Sequence, residues 1–348
     1  QRDDAQGTKV ITQQTSAGLS ISWLLDIFGG NAAARTAALA ELEAAKLSEE
    51  AARLSVAAAI TNSYIELRYY QESIALTRKS IASRGETLKM TRDMVRLGQS
   101  GKLEELQAQK AVTQSDAALP ALQIGLDRAV NRLATLTGTS RADVLEIVQR
   151  GASQPVARGK PSVGVPAEVI RARPDVKLAE RRLAAAVARV GVAEAAFWPS
   201  VSISGSILPT HTRGSGNVTP WQIGPQINLP IFSGGVNKAN LSAAESRAVQ
   251  AEIKWRAIMF AAIEDVENGL TAWSRGANNV EIQRRLVATS QDTANLSRET
   301  WRGGEGEFLV VLDAERDLLA AQSGLAEALR DCALAYTSVS VAAAATFR

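Results

Sequence analysis

The sequence predicts a mainly α-helical protein with a β-barrel part, organised as an internal two-fold repeat. Three observations lead there. Alanine-rich stretches at 31–97 and 235–301 run without a proline. Three short segments alternate apolar side chains with Ser, Gln or Asn. The same residues also recur at a fixed offset along the chain, as the helical stretches below show.

Composition narrows the choices. Of 348 residues, 46% are hydrophobic and only 5% aromatic. Alanine is the best helix former but fills a bulky core poorly, so long, thin helical layers are expected. The net charge of +3 is dispersed. Its densest basic patch, Arg171, Arg173, Arg181 and Arg182, has no interleaved aromatics, so it reads as an exposed helix face and no nucleic-acid partner is expected. One cysteine, Cys332, excludes an internal disulfide and is expected to be a small buried side chain. One histidine, His211 in "PTHTRGSG", reads as a solvated loop residue and cannot build a His-rich metal site. No cofactor or metal is expected. There is no run of eighteen apolar residues and no signal peptide. The opening "QRDDAQGTKVITQQTS" is polar and loop-like, so the chain reads as a mature or trimmed form.

Three strands are expected, at 18–28 ("GLSISWLLDIF"), 199–208 and 220–230. In the second, Val201, Ile203 and Ile207 alternate with Ser202, Ser204 and Ser206. In the third, Trp221, Ile223, Ile227 and Leu229 share one face, and Gln222, Gly224, Gln226 and Asn228 the other. A period of two places such sets on opposite sides of a sheet. Pattern alone permits either face to be the buried one. Strands of about ten residues with aromatics near their ends suit a membrane barrel, apolar face to lipid and lumen wet. So few strands cannot close, and open edges are not tolerated in hydrocarbon, so several copies must pool them.

The helices follow. Gly29, Gly30, Gly234 and Gly235 punctuate the starts of the two long stretches, and "LGQSGK" and "RGGEGE" their ends. Each would run roughly 100 Å at 1.5 Å per residue. Shorter helices are expected at 102–136, 168–197 and 308–344, with "RGASQPVARGKPSVGVP" (150–166) a Gly- and Pro-rich connection. Two half-length helices end to end about match one long one. The domain expectation is therefore strands at 17–29 and 198–231, a first helical unit at 30–149, a connecting loop at 150–166, and a second unit at 167–197 with 232–348. The first unit lacks its own opening helix and first strand, which are expected upstream.

"RLGQSGKLEELQAQK" (96–110) aligns with "RGGEGEFLVVLDAER" (302–316), and "DIFGGNAAARTAALAE" (26–41) with "PIFSGGVNKANLSAAE" (230–245). Between these anchors Ile60, Leu67, Ile74, Ile81, Leu88 and Val95 recur every seven residues, answered by Val266, Trp273, Val280, Val287, Ala294 and Trp301. Such spacing keeps one seam facing a partner when helices coil slightly around each other. The second seam position is often polar (Gln71, Arg78, Arg92), which fits helices packed edge to edge in a curved wall better than a two-stranded coiled coil.

These segments resemble a known family. "VPAEVIRARPDVKLAERRLAAAVARVGVAEAAFWPSVSISGSI" (165–207), "GPQINLPIFSGGVNKANLSAAESRA" (224–248) and "YIELRYYQESIALTRKSIASRGETLKMTRDMVRLGQSG" (64–101) are similar to the outer-membrane efflux factors of the TolC/NodT (OprM-like) type. The resemblance implies a homotrimer in the outer membrane of a Gram-negative bacterium. Four strands per protomer would form a twelve-stranded barrel, continued by a periplasmic α-helical barrel. It implies outer-membrane lipid, a periplasmic adaptor (membrane fusion protein) and an inner-membrane pump, RND-type, as partners. It implies adaptor-contacting hairpin tips at Arg96, Gly98 and Leu103 and at Gly304, Gly306 and Phe308. It also implies a periplasmic gate of Leu309, Asp313 and Arg316. Val310 stands where some members carry a second aspartate, so one acidic ring, from Asp313, is expected. Glu105 stands where a tip often carries an apolar residue.

The expected function is a passive exit duct for small molecules. No Ser–His–Asp set, metal cluster or nucleotide loop offers chemistry, so no enzyme is expected. "GGEGE" follows a helix and lacks a Lys-Ser/Thr ending, so it is not a phosphate loop. Plainer readings stand beside these: tip glycines also end helices, and Asp313 with Arg316 also fits an ordinary exposed pair. A soluble coiled-coil scaffold and a duct for type I protein secretion are the competing functions.

Overall fold

The computed structural model describes residues 13–149, 153–156, 170–213 and 216–343. They fall into two compact units, Gln1–Lys46 with Leu178–Arg256, and Leu47–Lys177 with Ala257–Arg348.

In the first unit, β2 (Leu19–Leu25), β3 (Ser200–Ile207) and β6 (Trp221–Asn228) form an antiparallel sheet in the order β2-β3-β6. Its register aligns the apolar sets row by row. Leu19, Ile207 and Trp221 stand opposite one another, as do Ile21, Gly205 and Ile223, then Trp23, Ile203 and Pro225, then Leu25, Val201 and Ile227. Directly opposed residues share a face, so these rows make one apolar surface. The other face carries Ser20, Ser22, Ser202, Ser204, Ser206, Gln222 and Gln226, with Leu24 the exception.

A second sheet, β1 (Gln14–Ser16), β4 (Thr210–Thr212) and β5 (Gly216–Val218), was not expected from the sequence. It repeats the strand order of the first, one break further along. Pro209 and Pro220 lie at that break and cannot donate to a ladder. Their carbonyls still accept from Ala17 (3.1 Å) and Leu208 (2.9 Å). These strands hold three residues each and are polar except for Val218, so they are too short to show an alternation. They also correct the placing of His211, which lies in β4 opposite Asn217. It remains exposed, as expected.

Two chain turns lead from strand to helix. After β2, Gly29 takes a left-handed φ of 75°. Asp26 then caps the following helix, accepting from the amides of Asn31 (2.9 Å) and Ala32 (2.7 Å). After β6, Gly234 and Gly235 are both left-handed. Phe28 stacks on Trp198 with ring centroids 5.2 Å apart. The helical part of this unit is packed largely by alanine: Ala37, Ala40, Ala44, Ala179, Ala185 and Ala244 are all buried. Small side chains let helix backbones approach closely.

The helices are α1 (Gly30–Arg96), α2 (Lys102–Thr137), α3 (Arg141–Gln149), α4 (Pro174–Ala195), α5 (Val236–Arg302) and α6 (Phe308–Ala342). α1 and α5 each hold 67 residues. Adding 206 to the starts of α1 and α2 and to the end of α1 gives 236, 308 and 302, which are the corresponding bounds of α5 and α6. The heptad residues are the inward ones. Leu67, Ile74, Leu88, Val266, Val280, Ala294 and Trp301 are buried, and Ile60, Ile81, Val95, Trp273 and Val287 half-buried. In the second unit Leu67 packs with Ala129, Val130, Leu133, Val144 and Val148, joining α1, α2 and α3. Val280 packs with Ala328 and the buried Cys332, joining α5 and α6.

α3 was not read from the sequence. Gly138 ends α2 in a left-handed conformation (φ 66°). Ser140 and Asp143 then form a reciprocal cap: the Asp143 amide donates to Ser140 Oγ (3.2 Å), and the Ser140 amide to Asp143 Oδ2 (3.1 Å).

Candidate functional site

The α1–α2 and α5–α6 turns are built alike. Gly98 and Gly304 are left-handed, with φ of 73° and 79°. Gly98 donates to the Val95 carbonyl (3.1 Å) and Gln99 to that of Met94 (2.9 Å). Gly304 donates to Trp301 and Glu305 to Thr300, each at 3.0 Å. Both are Schellman endings, in which a 6→1 and a 5→2 bond satisfy the last carbonyls and glycine takes the φ > 0 position.

Beneath both turns lies one cluster: Leu88, Ala108, Trp301, Phe308 and Val311 are buried together, with Met94 and Leu312 against them. Trp301 and Phe308 pack with ring centroids 5.3 Å apart. Above it opens a crevice of about 640 Å³ lined by Met94, Leu103, Glu104, Trp301, Gly306 and Leu309, among others. Arg96, Gly98, Leu103 and Gly304 are exposed, and Leu103 keeps 67% of its surface. Gly306 is half-buried, and a Cβ there would stand 2.9 Å from Thr300 Oγ1. Phe308 differs from its tip neighbours: only 4% exposed, it supports the turn from below. Glu105 lies 3.5 Å from Arg92 and also pairs with Lys102. The Lys102 hydrogen bond, helped by Arg92, holds its carboxyl below the usual range. This pairing accounts for a charged residue at that position.

Leu309, Asp313 and Arg316 fall at i, i+4 and i+7 on α6 and form one exposed stripe. Asp313 pairs with Arg316 at 3.2 Å, and Arg316 also reaches Asp317 at 3.2 Å. Two residues along from Asp313, Glu315 is buried. Thr87 Oγ1 of α1 donates to it (3.0 Å), and Arg298 Nε of α5 stands 3.5 Å away. Nothing in the sequence marks Glu315, because its spacing from Asp313 and Arg316 resembles ordinary surface charge.

A separate ionic hub lies at the start of α4. Arg173 forks onto Asp175 at 3.0 and 2.8 Å and reaches Asp265 of α5 at 3.1 Å. Arg173, expected on an exposed basic helix face, is half-buried in the structure.

On the sheet, Ile203, Ile207, Trp221, Ile223 and Ile227 are exposed and Val201 half-exposed. Leu229, also exposed, lies one residue past β6. Leu19, Ile21, Trp23 and Leu25 of β2 belong to this face as well, a placement that Ser20 and Ser22 between them signal in the sequence.

Residues 1–139 and 165–345 match the family model described as outer membrane efflux protein. The chain belongs to the outer membrane efflux protein family. Among the relatives of this efflux protein, Nodulation protein T of Rhizobium leguminosarum bv. trifolii is 38% identical over 336 residues, covering 95% of this chain and 72% of the relative. The toluene efflux pump outer membrane protein TtgC of Pseudomonas putida is 31% identical over 326 residues, covering 92% of this chain and 66% of the relative. The solved outer-membrane channel OprN superposes with a TM-score of 0.87 at 26% identity, over 96% of this chain and 81% of that one. The fold is thus that of the TolC-like outer-membrane channels, and this efflux protein is an outer-membrane protein. Among the described residues no helix is long and apolar enough to cross a membrane.

Proposed function

We propose that this efflux protein is the passive outer-membrane exit duct of a tripartite efflux system, carrying small molecules from the periplasm and an inner-membrane pump to the exterior. The observation that carries the reading is the sheet register. Four rows of directly opposed apolar residues leave one face greasy and exposed, while Ser and Gln line the other. Such a face belongs against acyl chains, and the polar face along a water path. A soluble scaffold needs the greasy face covered, and Leu19, Ile21, Trp23, Trp221 and Ile223 all stand exposed. Among the described residues β2 and β6 have no outer neighbour in this sheet, and such edges need partners within hydrocarbon. Three copies pooling four strands each, with α1, α2, α5 and α6 forming a periplasmic wall, meet that need. The shared 206-residue offset of their bounds supports an internal two-fold repeat. It also supports the division of the chain into strands (17–29, 198–231) and two helical units joined at 150–166.

The tips, with Arg96, Gly98, Leu103, Gly304 and Gly306 around the crevice, are the surface for a periplasmic adaptor, and Phe308 holds their shape. Leu309, Asp313 and Arg316 form the periplasmic gate. The partner pump, RND-type, supplies the energy.

Two measurements test the reading. The purified protein should require detergent and have the mass of a trimer. In planar bilayers it should conduct, and Asp313→Ala with Arg316→Ala should raise the open probability. A detergent-free monomer would end the duct reading; an unchanged open probability in a conducting trimer would remove only the gate.

A further inference from the structure

We propose that Glu315 is a positioning residue for the gate, pinning α6 in the rotation that presents Leu309, Asp313 and Arg316. The proposal rests on the gate reading above. At 100° per residue, Glu315 and Asp313 project from α6 about 160° apart. Asp313 lies in solvent, while Glu315 is 5% exposed. The carboxylate sits in a seam of three helices. Thr87 of α1 donates to its Oε1 at 3.0 Å, and Arg298 of α5 stands 3.5 Å from the same atom. Arg84 of α1 adds a second positive charge that feels Glu315; burial pushes its guanidinium down and the Glu315 charge partly restores it. Arg84 is itself anchored on α2, donating to the Ala111 carbonyl (3.0 Å) and to Ser115 Oγ (2.8 Å).

One buried carboxylate therefore ties α6 to α1 and α5. Any rotation of α6 that withdraws Asp313 and Arg316 drags Glu315 from its counter-charges. A buried charge separated from its partners is strongly disfavoured, so the seam resists that rotation. Among the described residues, Glu315 Oε2 and the Nε atoms of Arg84 and Arg298 have no hydrogen-bond partner.

Single-channel recording of the trimer in planar bilayers tests this with Glu315→Gln, Thr87→Val, the Asp313→Ala/Arg316→Ala pair, and all three of Glu315→Gln, Asp313→Ala and Arg316→Ala together. Glu315→Gln keeps the shape but removes the charge. It should raise the open-to-closed ratio about tenfold, the scale of one charge-assisted hydrogen bond. Thr87→Val should raise it about threefold. The triple variant should open no further than the gate pair, since Glu315 acts through those residues. If Glu315→Gln assembles and gates as wild type while the gate pair opens, the pin is overturned and the gate stands. If the gate pair changes nothing, the gate reading and the pin both fall. A triple variant that opens well beyond the gate pair also overturns the pin. A loss of thermal stability with unchanged gating marks Glu315 as merely structural. Should Glu315→Gln fail to form trimers, Thr87→Val decides by the same criteria.

Discussion

Trp23 stands directly opposite Ile203 across the β2–β3 pair, in the middle of the exposed apolar face. One residue along β3, Ser204 stands opposite Ser22 on the polar face. A period of two makes these neighbours report on different solvents. Ile203→Arg should cost about 2–4 kcal/mol, the scale for a cation facing acyl chains near the bilayer midplane. The expected outcome is a sharp fall in assembled trimer recovered from outer membranes. Ser204→Arg should assemble normally and shift single-channel ion selectivity towards anions. Equal assembly defects in the two variants would contradict the assignment of faces.

The tips predict a different kind of sensitivity. A Cβ at Gly98 or Gly304 would meet open space, so Gly98→Ala is strained only by its left-handed backbone. That strain is about 1–2 kcal/mol per residue. Gly306 has no positive φ, but its added Cβ would press on Thr300 Oγ1 at 2.9 Å and the Trp301 amide nitrogen at 3.0 Å. Gly98→Asn should therefore recover part of what Gly98→Ala loses, because Asn tolerates the left-handed region. Gly306→Asn should be worse than Gly306→Ala. Limited proteolysis of the tips, read as cleavage rate, separates the two patterns.

How much of this was legible in the sequence depends on the range of the interaction. Alternation in "SVSISGSI" and the heptads from Ile60 to Val95 are local patterns, and the structure turns those faces as expected. The strands β1, β4 and β5 have no local pattern, because three residues are too few to show a period of two. α3 was legible in principle from Ser140 and Asp143, but its nine residues are short beside the helices around it. Arg84 and Glu315 were not legible. Polar residues in a helical seam read as solvated, and only the packing of the helices shows Arg84 held against α2 and Glu315 buried between Thr87 and Arg298. The resemblance places Phe308 among the tip contacts; its side chain turns under the tip.

Gly125 shows the same limit and gives a packing prediction. A Cβ there would fall 2.3 Å from Cε1 of Tyr70, so α2 meets α1 with ring against bare backbone. Gly125→Ala gains helix propensity of about 1 kcal/mol, but overpacking of about 1–3 kcal/mol opposes it. The net effect should be a lower thermal midpoint. Tyr70→Leu combined with Gly125→Ala should lose less than the sum of the two singles, because removing the ring makes room for the methyl. Strict additivity in that cycle would mean the helices part freely at this point.

The Arg173 hub predicts a pH dependence whose sign is fixed. Burial alone would raise the Asp175 carboxyl, but the Arg173 hydrogen bonds and charge, with the Val176 amide, outweigh it and hold it below the usual range. A carboxyl depressed in the folded state binds its proton more readily once unfolded. Its stabilisation is therefore full above the ordinary aspartate value of about 4 and is lost as pH falls through the lower folded value. Wild type should lose stability as pH falls from the ordinary aspartate value of about 4 through the lower folded value. Asp175→Asn should be less stable at neutral pH and show a shallower loss over the same window. Arg173→Lys should behave like a partial version of it, since an ammonium cannot fork onto Asp175 while also reaching Asp265 with the same geometry. Thermal unfolding of the detergent-solubilised protein at a series of pH values checks all three. Parallel pH profiles for wild type and Asp175→Asn would show that the acid loss arises elsewhere.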